Sequence, residues 1–411
     1  MKKKVIPLFI LVLVIAIPQL SETIYVPALP AMSKYLGVSA NIIELTLTTY
    51  LMGFGVGVFF WGSLSDIYGR KPMFIIGFII YVLSCVFCYY AHSNEQLLLF
   101  RFIQAIGASV GSVLGQAVAR DVIEPNNRGK VFSVISIVMA FAPAIGSLIG
   151  GFAVEYFNWQ AVFKILIVIG LSTIFIIANK LPETKKFTIE EKQSNIFSNY
   201  YACFNKMRKD KKVLGFGFMV GGVNGILFGY FAEAPFYFIE VLGLSHRNFG
   251  LLSALICIPL LIGSTLSKIF HRRQQLYTTI IYKGIMLIVV SSILFFLFVN
   301  RQIISSAYMF QAITLSYAFV VMCIVGIAMI IPNSLSHALE DYGEYAGTAA
   351  SLFGAYYYCI IASMTLLMSI LHNGELSQLP LFILIQGLSM FIVFNLTLKT
   401  KHEVEVYDIN T

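Results

Sequence analysis

Charged residues are scarce in this sequence: Asp, Glu, Lys and Arg make up 12% of its 411 residues, where a soluble domain carries about 25%. A water-facing surface cannot be built from so few, which excludes a soluble globular chain. No polar stretch is long enough for a soluble catalytic domain, and no enzyme is expected. Histidine is rare too, and none of the 6 falls in the middle of an apolar run, which argues against a histidine proton relay. The 6 cysteines lie mostly inside apolar segments and imply no disulfide framework. Cys85 and Cys88 have zinc-ligand spacing, but no second pair or histidine accompanies them, so core packing is expected and no metal or other cofactor. No small-x-small cleavage site closes the apolar run after Lys2, Lys3 and Lys4. That run is therefore read as an uncleaved first span with a cytoplasmic N-terminus.

What the sequence has in abundance is apolar surface. It is 58% hydrophobic, with a mean hydropathy of +0.82, and the bilayer is the solvent that suits it. At roughly 20 apolar residues per span plus a loop, the chain holds on the order of twelve spans. Hydropathy places them at residues 5–25, 42–61, 73–91, 96–119, 131–152, 162–179, 213–237, 249–270, 278–299, 306–331, 347–371 and 378–398. The expectation is an all-α integral membrane protein with two pseudo-symmetric six-helix bundles. The boundaries are 1–180 and 213–399, with a basic cytoplasmic linker at 181–212 and a cytoplasmic tail at 400–411.

The net charge of +8 does not point to nucleic acid, because Lys and Arg gather in short clusters between apolar runs. With twelve spans threaded from a cytoplasmic start, the clusters fall on alternate loops, as the positive-inside rule requires. Only Lys34, Lys164, Arg247 and Arg301 fall outside, and Arg101 lies within a span. The halves also repeat: Tyr35-Leu36-Gly37-Val38-Ser39 and Gly57 match Val241-Leu242-Gly243-Leu244-Ser245 and Gly263, a constant 206 residues apart (37 to 243, 57 to 263). Such duplication suits a transporter whose two bundles rock about a site between them.

Several motifs carry a more specific reading. Gly62-Ser63-Leu64-Ser65-Asp66-Ile67-Tyr68-Gly69-Arg70-Lys71 follows the second span. Its glycines allow a tight loop, and Asp66 is an acceptor suited to a helix N-terminus. It resembles, at every specified position, the signature loop of the major facilitator superfamily. Arg101-x-x-Gln104-x-x-Gly107 resembles that family's fourth-helix motif, with Arg120-Asp121 at the helix's inner end. Pro143, Gly146, Gly150 and Gly151 are similar to the fifth-helix motif of its proton antiporters, with Ser147 standing where that motif has proline. Ile24-Tyr25-Val26-Pro27-Ala28-Leu29-Pro30, Pro235 with Ile239-Glu240, and Pro332-Asn333 with Ala346-Gly347-Thr348-Ala349 resemble the Bcr/CflA and EmrD-like branch of drug:proton antiporters. The resemblance covers nearly the whole chain. It implies a monomer in a bacterial inner membrane, with both termini cytoplasmic, exchanging protons for a small organic molecule. Import or export of a specific metabolite or iron chelate is the alternative.

Candidate site residues follow from what lipid makes expensive. Glu22 sits inside the first apolar run, and a carboxylate there is costly unless paired or protonated. It and Arg101 both fall in the outer half of the membrane, which makes them candidates for proton coupling. A fixed structural ion pair is the bland reading of the same two residues. Branch members carry an Asp where this chain has Thr23, so the role passes to Glu22 by environment. Glu233, beside Pro235, is the other acidic candidate. Gly62, Asp66, Gly69, Arg70, Lys71, Arg120, Asp121, Gly146, Gly150 and Gly151 are candidates for the conformational switch. Candidates for the substrate cavity are Gln19, Gln104, Gln116, Asn224 and Asn333, because lipid-facing amides are expensive. Tyr25, Tyr50, Phe141, Phe228, Tyr317 and Tyr357 join them, because aromatic faces hold amphiphiles and cations with loose geometric demands.

Overall fold

The computed structural model describes residues 7–123, 125–184, 196–300 and 309–399. Lys2–Lys4, the linker's Lys185, Lys186 and Lys192, and the tail at 400–411 lie outside the described residues. In lipid every backbone N–H and C=O must be satisfied within the segment itself, so an apolar run folds as a helix. Among the described residues there are helices and no strands.

In chain order, α1 (Leu8–Thr23) passes through a 3-10 turn at Val26–Ala28 into α2 (Leu29–Leu36). Then come α3 (Ala40–Tyr68), α4 (Arg70–Tyr89), α5 (Asn94–Val122), α6 (Pro125–Tyr156) and α7 (Ala161–Lys180). A short helix, α8 (Ile196–Met207), lies within the segment read as the linker. It is followed by α9 (Lys211–Pro235), which ends in a wider helical turn at Phe236–Val241, then α10 (His246–Ala254), α11 (Cys257–Arg272) and α12 (Tyr277–Asn300). The chain closes with α13 (Met309–His337), a 3-10 segment at Glu340–Tyr345, α14 (Ala346–Leu371) and α15 (Gln378–Thr397).

With α1 and α2, α9 and its terminal turn, and α10 and α11 each taken as one span, 12 helices among the described residues are long and apolar enough to cross a membrane. Several run past the hydropathic stretch that betrays them. The second begins at Ala40 and ends at Tyr68, because hydropathy marks only the lipid-crossing part while backbone hydrogen bonding continues into water. Prolines account for the interruptions: Pro27 and Pro30 lack the N–H that would carry α1 smoothly into α2. Large apolar side chains stand exposed on these helices, among them Ile76, Leu83 and Phe87 on α4 and Val168, Leu171 and Phe175 on α7. Exposure of this kind suits a surface that faces lipid.

The described chain forms two compact units. The first takes residues up to Ser194 together with Phe228–Cys257 and Thr365–Gly374. The second takes Asn195–Leu227, Ile258–Met364 and the chain from Glu375 onward. In the first, α3 and α4 pack on α5, and α1 and α10 pack on α6. In the second, α12 packs against α13 and α15.

The internal repeat is visible as backbone geometry. Gly37 and Gly243 both adopt the left-handed conformation, at φ 65° and 70°, which a side chain would disfavour. Each is followed two residues later by an extended serine that starts the next helix, Ser39 (φ −70°, ψ 159°) before α3 and Ser245 (φ −70°, ψ 156°) before α10. Serine suits that position because its side-chain oxygen can take a helix-end N–H, and Ser245 does so from Asn248 at 3.2 Å.

Candidate functional site

Three polar clusters stand out in the first unit, and the first is assembled around the end of α1. Pro18 lies inside that helix, and its missing N–H leaves the Val14 carbonyl without its helical donor. There α5 approaches so closely that a Cβ on Gly111 would strike that carbonyl. From the other side α6 presses on the last turn, where a Cβ on Gly150 would strike the Ile24 carbonyl and one on Gly146 the Thr23 hydroxyl. Ser147 adds a hydroxyl donated to the Thr23 carbonyl at 3.4 Å.

This packing holds a buried cation among aromatic rings. The Arg101 guanidinium carbon lies 3.8 Å from the Tyr25 ring centroid and 4.2 Å from that of Tyr50. Desolvated contacts of this kind are worth about 2 kcal/mol or more. Arg101 Nη1 donates to Gln104 Oε1 at 2.6 Å and to the Ser21 carbonyl at 3.5 Å. Gln104 Nε2 donates in turn to Cys85 Sγ at 2.9 Å, and Ser21 Oγ meets the Tyr81 hydroxyl at 2.6 Å. Glu22, 1% exposed, lies where the Arg101 charge acts on it. Glu22 Oε1, Tyr25 Oη and Arg101 Nε and Nη2 have no hydrogen-bond partner. Buried polar atoms seldom go unpaired, so the cluster offers an acceptor and several donors to a proton or a small ligand. Glu22, Tyr25, Tyr50, Arg101 and Gln104 were legible in the sequence. Ser21, Tyr81 and Cys85 were not, since small or aromatic hydroxyls and a thiol inside an apolar run read as packing.

The second cluster is the loop between α3 and α4. Gly69 turns the chain at φ 97°, and Arg70 gathers the charges around it: Nη1 is 2.9 Å from Asp66 Oδ1 and Nε is 3.2 Å from Asp121 Oδ2. Glu183, absent from the sequence reading, accepts from the backbone N–H of Arg70 at 3.0 Å and of Lys71 at 3.1 Å. A carboxylate there answers the positive end of α4. Lys71 Nζ donates to the Ala178 carbonyl at 2.7 Å, which ties the loop to the end of α7. Arg120 is exposed.

The third cluster is one the sequence reading found only in part. Glu233 is 3% exposed, and its Oε2 lies 2.7 Å from His372 Nδ1. Glu44, on α3 and 1% exposed, brings Oε1 to 3.3 Å from the same nitrogen. Burial alone would lower the imidazole's basicity, but the bond to Glu233 and the nearby Glu233 and Glu44 carboxylates more than reverse this and raise His372 to about 10. The Phe236 ring packs edge-on against the imidazole, 5.5 Å between centroids. Neither Glu44 nor His372 was singled out, because each stands at the margin of an apolar run, where charge is ordinary.

The remaining candidates are dispersed. Gln19, Gln116 and Phe141 are half-buried in the first unit, and Phe228 packs edge-on to Phe231 at 6.1 Å. Gly151 lets α6 pass close to Gly250. In the second unit Asn224 donates to the Val220 carbonyl at 2.8 Å. Asn333 is committed to Ser267 Oγ at 2.9 Å, the Met329 carbonyl at 2.7 Å and His271 Nε2 at 2.6 Å. Tyr317 is half-buried, and Tyr357 packs edge-on to Phe353 at 5.7 Å.

The sequence profile described as Major Facilitator Superfamily matches residues 11–366. An uncharacterized transporter of Rickettsia felis is 35% identical over 405 residues, 97% of this chain and 98% of its own. The bicyclomycin resistance protein homolog of Haemophilus influenzae is 28% identical over 368 residues, 87% of this chain and 88% of its own. Multidrug resistance protein D of Escherichia coli is 25% identical over 347 residues, 84% of each chain. Among solved structures, the inward open xylose transporter of E. coli superposes with a TM-score of 0.72 at 12% identity, covering 96% of both chains. That similarity speaks for the fold alone.

Proposed function

The chain belongs to the major facilitator superfamily, and from that premise we propose that it exports small amphiphilic organic molecules across a bacterial inner membrane in exchange for protons. One observation carries the reading: a carboxylate inside the first span, Glu22, with an unpartnered oxygen, beside an arginine held against two tyrosines. The names of two relatives, a bicyclomycin resistance protein homolog and a multidrug resistance protein, favour drug-like substrates.

In this mechanism Glu22 takes a proton or helps hold a cationic or polar substrate, and the two compete. Tyr25 and Tyr50 offer aromatic faces, while Arg101 supplies donors and keeps the local charge balanced. The loop of Asp66, Gly69, Arg70, Lys71 and Asp121 acts in the switch between inward and outward access, and the α6 glycines set how closely α6 and α1 pass. The energetics suffice. One proton moving down about 100 mV yields about 2.3 kcal/mol, and one pH unit adds about 1.4 kcal/mol. Together they sustain a gradient on the order of 500-fold.

The test uses proteoliposomes loaded with a pH dye and given ethidium, a fluorescent aromatic cation. Under an imposed pH gradient the protein should concentrate ethidium on the acidic side, with protons flowing the other way. Ser147, standing where the antiporter motif has proline, favours a second reading, import with protons. In that case dye and protons would move in the same direction.

A further inference from the structure

We propose that Glu44, Glu233 and His372 form a binding site for one divalent transition-metal ion of the zinc type. The three come from separate helices, α3, the end of α9 and the residue that follows α14, and all belong to the first unit. Their ligand atoms lie within 4.8 Å of one another. Two ligands each about 2.0–2.1 Å from a tetrahedral ion are about 3.3 Å apart, and His372 Nδ1 is 3.3 Å from Glu44 Oε1 and 2.7 Å from Glu233 Oε2. To reach that spacing from the imidazole the Glu233 carboxylate would draw back by about 0.6 Å (2.7 to 3.3 Å).

Unsatisfied acceptors add to the geometry. Two buried carboxylates face a single imidazole nitrogen, so the cluster holds more acceptor atoms than donors. The shortfall falls on Glu44, which is 1% exposed and whose two carboxylate oxygens both lack a hydrogen-bond partner. A buried carboxyl group without donors is costly to leave unsatisfied. His372 Nδ1 lies closer to Glu233, at 2.7 Å, than to Glu44, at 3.3 Å. A divalent ion satisfies all three groups at once: it takes the Nδ1 lone pair, neutralises both carboxylates, and releases the proton it displaces.

The donor set also selects the metal. Mg2+ and Ca2+ prefer oxygen ligands throughout, whereas one imidazole with two carboxylates suits zinc and its neighbours in the first transition row. Three protein ligands leave a fourth position for water. An ion held there would tie the ends of three helices together.

The test reads metal bound to the resting, full-length, untagged protein in lipid nanodiscs, and so does not depend on the transported substrate. Zinc chloride is titrated against a fluorescent zinc chelator in the presence of excess Mg2+. The unmodified protein should bind one ion per chain, and Glu44→Gln, Glu233→Gln and His372→Gln should each weaken binding at least ~10-fold. His271→Gln, outside the cluster, should bind as the unmodified chain does. X-ray absorption at the zinc edge of the unmodified protein should show one imidazole and otherwise oxygen ligands, a readout that needs no variant to fold. Absence of saturable zinc binding, unchanged affinity in folded variants of all three residues, or sulfur in the zinc shell would overturn the proposal.

Discussion

The two buried acidic centres of the first unit solve the same problem in opposite ways. At Glu22 the cation is held by aromatic faces and an amide, Tyr25, Tyr50 and Gln104, and the carboxylate keeps a free oxygen. At Glu44 and Glu233 the cation is His372, hydrogen-bonded to Glu233 at 2.7 Å and 3.3 Å from Glu44, across three chain segments that are distant in sequence. A carboxylate whose cation is secured elsewhere can change its proton without undoing a structural tie. A carboxylate that is itself the tie cannot. This contrast is why coupling is assigned to Glu22 and helix fastening to the other centre.

The assignment predicts how each centre fails. Arg101→Ala should have the largest effect, since it strips the buried cation from Glu22 and empties the space between Tyr25 and Tyr50. Losing one partner of a buried charge arrangement costs about 3–5 kcal/mol, read as a large fall in thermal midpoint in detergent. Arg101→Lys should recover much of the fold but little transport, because an ammonium lacks the planar fork that Gln104 and the rings engage. Next comes Gly150→Ala, whose Cβ meets the Ile24 carbonyl. Overpacking of this sort costs about 1–3 kcal/mol, and it should slow transport by displacing the turn that carries Glu22.

At the other centre, a double-mutant cycle of His372→Gln with Glu233→Gln should show a stability coupling of about 1–2 kcal/mol. The same cycle on His372 with Glu22 should show none beyond error. The smallest change is expected outside both centres: Glu183→Gln weakens the carboxylate at the start of α4 and should cost about 0.5–1 kcal/mol. Its transport rate should shift less than that of Gly150→Ala.

The two centres also differ in how far the sequence disclosed them. The helical fold was readable because lipid leaves an apolar run no other way to satisfy its backbone. Glu22, Arg101 and Gln104 were readable for a related reason, since a charge or amide inside such a run must have a purpose. Glu44 and His372 stand near helix ends, where polar residues are ordinary, and only tertiary packing brings α3, α9 and the end of α14 to one point. Glu183 was hidden in the same way, as one acid near a basic linker whose target lies more than a hundred residues earlier. Asn333 shows the converse: an amide within an apolar run whose bonds go to Ser267, Met329 and His271, the interhelical bonding that such amides often serve.

The central claim is that the exchangeable proton belongs to Glu22. It is tested most directly by proton release when ethidium binds to the purified protein in weakly buffered detergent solution containing a pH dye. The unmodified protein and Glu44→Gln should both release a proton on binding, while Glu22→Gln should bind ethidium and release none. Undiminished release from Glu22→Gln, or its loss from a folded Glu44→Gln, would contradict the account.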